Sequence, residues 1–122
     1  KSGEYGRYSF YAQRYDYLRI ARLVLDHWNN DTCVGKYLKT MYKNRVDRQY
    51  EYSKFKGNHN AAQTYGGQFL FDPIGIEKRP ILMMDGFAGQ QVVIDFNNKK
   101  IITAHSTDRH YDYYNLIYLQ IK

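Results

Sequence analysis

Two β-branched runs constrain this chain most. Gln91-Val92-Val93-Ile94-Asp95-Phe96 and Lys100-Ile101-Ile102-Thr103-Ala104-His105 flank Asn97-Asn98. Branched side chains fit a pleated, half-buried surface and asparagine tolerates turn geometry, so the stretch predicts a β-hairpin. An isolated hairpin is marginal in water and needs further strands or a helix over its apolar face. With 122 residues the chain has room for one domain, and the cover must come from its other segments.

Helices supply part of that cover. Leu18, Ala21, Val24, Leu25 and Trp28 recur every three or four residues, while Arg19, Arg22 and Asp26 fall on the opposite side. This is one apolar stripe on an amphipathic helix. Asp16 stands near its start, where a carboxylate meets unpaired N–H groups, and Asn29-Asn30-Asp31-Thr32 stops it. A second helical segment follows Gly35, with Tyr37, Leu38, Met41 and Tyr42 as its apolar side. Helices are therefore expected over about 16–44, after a loop over 1–15, and the polar, basic stretch 45–62 reads as a surface loop.

Strands and a C-terminal helix are expected over 63–122. Gly66-Gly67-Gln68-Phe69-Leu70-Phe71 reads as one strand ended by Asp72-Pro73, and Ile81-Leu82-Met83-Met84 is a short apolar run after Pro80. Gly86-Phe87-Ala88-Gly89 is a tight, glycine-bounded segment, and Tyr114, Ile117, Tyr118 and Ile121 return to helical spacing. The fold class expected is α+β, an antiparallel sheet with covering helices.

Composition excludes several classes. Hydrophobic residues make up 43% and prolines number 2, which argues for a packed core and against disorder. No run of about 18 apolar residues offers a membrane-spanning helix. Lys1 to Gly6 is polar and shows no signal-peptide pattern. A single cysteine, Cys33, excludes an internal disulfide framework and reads as a small buried residue. His27, His59, His105 and His110 show no metal-ligand spacing, so no metal and no cofactor is expected. The net charge of +6 and the 14 tyrosines suggest a small basic interaction module for nucleic acid or an acidic protein. The cations are spread along the chain without a recognition motif, which disfavours nucleic acid.

Three blocks then point elsewhere. They are Asp16-Tyr17-Leu18-Arg19-Ile20-Ala21-Arg22-Leu23-Val24-Leu25 with Gly35 beyond it, Tyr65-Gly66-Gly67-Gln68-Phe69-Leu70-Phe71, and Gly86-Phe87-Ala88-Gly89-Gln90-Gln91-Val92-Val93-Ile94-Asp95. In this order the chain resembles the C-terminal part of the serine β-lactamase-related, penicillin-binding-protein-like hydrolases. That group includes class C β-lactamases, esterases and 6-aminohexanoate-oligomer hydrolases. The blocks are similar to its D-x-x-R-x-x-x-L-x-L…G helix, its YGYGWW-type strand and its G-x-x-G-Q-x-x-x-I-D-P strand, with Phe96 in place of the proline.

The resemblance implies the C-terminal portion of the β-lactamase/DD-peptidase fold, with residues 1–122 as part of one hydrolase domain. Gly86-Phe87-Ala88 would stand at the family's third motif, with the Phe87 N–H as an oxyanion-hole donor. Gly86, Ala88, Gly89 and Gln90 would line the substrate. No lysine or hydroxyl residue occupies the first two places, which points to amide or ester hydrolysis rather than β-lactam cleavage. The substrate would be a small amide or ester, and the location could be periplasmic or cytoplasmic.

The family's other motifs, Ser-x-x-Lys and Tyr-x-Asn, have short matches in Ser53-Lys54-Phe55-Lys56 and Tyr42-Lys43-Asn44. Both follow the first block and stand in reverse order, so neither is read as catalytic. The chain is accordingly expected to lack its nucleophile and to need the N-terminal part of the same domain. A partial domain should leave an apolar sheet face or helix side uncovered, with Trp28, Phe69, Val92, Ile94 and Ile101 the side chains to inspect.

Overall fold

The structure is a computed structural model, and it describes residues 12–48, 62–86, 90–105 and 114–122. The first helix, α1, runs Arg14–Asn29. It contains no glycine or proline, and the Gln13 N–H donates to the Asp16 carboxylate at 3.1 Å, satisfying one end group. Its buried stripe is Tyr17, Ala21, Val24, Leu25 and Trp28. Leu18, expected in the stripe, is exposed, and the Tyr17 ring takes that place one residue earlier. The opposite side carries the exposed pairs Arg19–Asp16 and Arg22–Asp26.

The second helix, α2, runs Cys33–Lys43, three residues longer at its start than expected. The Thr32 hydroxyl caps it by accepting the Gly35 N–H at 3.1 Å. Cys33 is exposed at the first helical position, which corrects the expectation of a small buried residue. The cap, rather than the thiol's apolar character, fixes where that residue sits. Gly35 lies where α2 meets the end of α1, and a Cβ there would overlap the His27 carbonyl oxygen.

Six antiparallel strands follow: β1 Val46–Asp47, β2 Ala62–Gly66, β3 Phe69–Pro73, β4 Ile81–Gly86, β5 Gln90–Asp95 and β6 Lys100–Ala104. They pair in sequence order as a meander. Two expectations change here. The stretch 45–62 is not wholly loop: β1 lies in it and pairs Val46 with Tyr65, and Ala62 opens β2, while residues 49–61 lie outside the described residues. The segment from Gly66 to Phe71 is not one strand either. Gly67 (φ 56°) and Gln68 (φ 75°) form a two-residue turn that pairs Gly66 with Phe69. Positive φ at both central positions makes a turn whose twist suits a tight hairpin. The β5–β6 hairpin stands as expected, with Asp95 opposite Lys100. Among the described residues the chain is thus α+β, with an antiparallel sheet and three α-helices.

Both faces of the sheet are covered. Leu82, Val92 and Ile94 face α1 and α2, where Trp28 stacks on Phe96 with ring centroids 3.9 Å apart. Ile81, Met83 and Val93 face the other way, toward Ile117, Tyr118 and Ile121. Those three belong to a π-helical turn, Tyr114–Tyr118, that continues into α3, Leu119–Ile121. Burial on both faces explains why β4 and β5 read as continuous apolar runs rather than as alternating ones.

Two buried ion pairs tie segments distant in sequence. Arg79 Nε donates to Asp95 at 2.9 Å, and Arg79 Nη2 donates to the Ile121 carbonyl at 2.8 Å. The Asn98 backbone and side chain also donate to Asp95, at 3.2 and 2.8 Å. On the far side of the sheet, Arg45 and Thr64 both donate to Asp72, which is buried at a positive φ of 54°.

The side chains singled out for coverage divide. Trp28, Val92 and Ile94 are buried, while Phe69 and Ile101 are half-buried. The exposed large apolar groups are scattered: Ile20 and Leu23 on α1, Val34 and Tyr37 on α2, Val46 and Tyr65 on the β1–β2 pair, and Leu116 and Leu119 near the C-terminal end.

Candidate functional site

The segment the sequence singles out is the connection between β4 and β5. Gly86 pairs with Gln90, and Asp85 pairs with Gln91, so the two strands stay in register up to the turn end of the hairpin. Phe87, Ala88 and Gly89 lie outside the described residues. Gly86 and Gln90 therefore stand at the base of a three-residue connection at the end of the sheet. A Cβ on Gly86 would come within 3.1 Å of the Gln90 Cβ, so this base is narrow. Narrow, glycine-bearing ends of strands are places where another backbone or a carbonyl approaches closely.

Beside the base lie two groups that the sequence does not flag. Asp85 is an exposed residue, and desolvation of its carboxyl by the surrounding chain raises its pKa to about 6. The Gly86 N–H and the Arg48 charge act the other way. Its cross-strand partner Gln91 is only 3% exposed, and its side-chain Oε1 has no hydrogen-bond partner. Such a buried acceptor carries a desolvation cost of about 1–3 kcal/mol when nothing donates to it.

No known protein family, curated protein or solved structure matches this chain. The chemistry must be argued from the groups themselves.

The competing motifs are resolved in part. Tyr42 of the Tyr-x-Asn match packs edge-on to Trp28 and Phe71, with the Arg45 guanidinium 3.9 Å above its ring. Burial raises its phenol pKa, against the opposing Arg45 charge, so it holds its proton more firmly than a shuttle should. Asn44 is the residue that ends α2. These two residues are structural. Ser53, Lys54, Phe55 and Lys56 lie outside the described residues, as do His59 and His110. His27 Nδ1 is 2.7 Å from the Thr32 hydroxyl, and His105 meets the Tyr17 ring edge-on at 5.0 Å. Among the described residues no group of three His, Cys, Asp or Glu side chains could hold a metal ion. No helix among them is long and apolar enough to cross a membrane.

Proposed function

We propose that this chain is the C-terminal portion of a serine hydrolase domain of the β-lactamase-related type, acting on a small amide or ester through an acyl-serine. The observation that carries the reading is the seating of the third block. Gly86, the last residue of β4, pairs with Gln90, the first of β5, at the turn end of this hairpin, and Phe87, Ala88 and Gly89 lie outside the described residues. That is a place from which a backbone N–H can be offered to a substrate carbonyl. A fixed N–H stabilises the negative oxygen of a tetrahedral intermediate without having to reorganise, and one such donor is worth about 3–4 kcal/mol, or roughly 100- to 1,000-fold in rate. In this reading the Phe87 N–H is that donor.

The helices support the same reading. Gly35 of the first block lies at the close approach of α2 to α1. Among the described residues, Ile20, Leu23, Val34 and Tyr37 are exposed on the two helices, beside the charged pairs of α1. Beside α1, β6 is the last strand of the sheet among the described residues, with Ile101 and Ile102 half-buried along it. Among the described residues no strand pairs with its outer edge, and such an edge can accept a further strand. The N-terminal part of the same domain would supply that cover, together with the serine, its lysine and the tyrosine.

The test uses the full-length gene product and a chromogenic ester series. Hydrolysis is expected, with Phe87→Ala close to wild type and Phe87→Pro, which has no N–H at that position, slowed roughly 100-fold or more in kcat. Absence of hydrolysis of any ester or amide, or equal rates for the two variants, would sink the assignment.

A further inference from the structure

We draw no further inference here: the strongest candidate, the buried side-chain carbonyl of Gln91 at the turn end of the β4–β5 hairpin, carries nothing, because no group among the described residues donates to it and the connection beyond it lies outside them.

Discussion

Replacing Asp95 with alanine is expected to destabilise the chain by about 3–5 kcal/mol, the cost of leaving one member of a buried ion pair alone. The Asp95 side chain is fully buried, and that of Arg79 is only 15% exposed. The loss extends beyond one pair. Asp95 also accepts from the Asn98 backbone and side chain, while Arg79 reaches the Ile121 carbonyl. One carboxylate therefore joins the segment before β4, the β5–β6 turn and α3. Urea unfolding at neutral pH would measure it, and a shift of less than about 1 kcal/mol would show the network to be dispensable. The effect should depend on pH. Burial pushes the Asp95 carboxyl up, but the bonds from Arg79 and Asn98 and the Arg79 charge outweigh that and hold it below its usual value. The stabilisation is thus present above the unfolded carboxylate pKa of about 3.9 and is lost as pH falls through the lower folded value. The gap between wild type and Asp95→Ala should close in strong acid and persist at neutrality.

Gly35→Val should be comparably severe for a different reason. The obstacle at Gly35 is the His27 carbonyl, a backbone group at the end of α1, which cannot rotate away as a side chain could. Even Gly35→Ala must push α2 off α1, and overpacking of this sort costs about 1–3 kcal/mol, with the branched valine above that. The helix itself would gain from losing a glycine, by roughly 1 kcal/mol. A net destabilisation therefore isolates the helix–helix contact, and the control is Gly35→Ser, which should fall with alanine and not with glycine. Thermal unfolding of the three variants would measure the order, and an alanine variant as stable as the wild type would contradict the close approach.

These two predictions also show what could be read from the sequence. The α1 stripe and the β5–β6 hairpin were legible because periods of 3.6 and 2 survive in a linear string. The stripe began one residue off because tyrosine, unlike leucine, gives no clear sign of which side it will take, and the Tyr17 ring went inward while Leu18 stayed out. The β2–β3 turn was hidden inside an aromatic, glycine-bearing run, since Gln68 is an unusual occupant of a positive φ. The pairings Arg79–Asp95 and Arg45–Asp72 join residues 16 and 27 positions apart, and a charged residue carries no local mark of its distant partner.

The candidate site divides in the same way. Its glycines were visible as breaks in a β-rich stretch, and Gly86 and Gln90 do pair at the base of a hairpin. Asp85 and Gln91 were not visible. The second glutamine of Gln90-Gln91, just ahead of a β-branched run, reads as a surface position, yet with β5 paired to both β4 and β6 it is buried. A carboxylate at a strand end likewise reads as solvated until its cross-strand neighbour is known.

The central claim is that this segment presents an oxyanion donor to a serine that lies outside it. Labelling the full-length gene product with a fluorophosphonate probe and mapping the adduct by mass spectrometry tests that claim most directly. One adduct is predicted, on a serine outside residues 1–122 followed three positions later by lysine. An adduct on Ser53, or active protein that takes no label on serine, would contradict it.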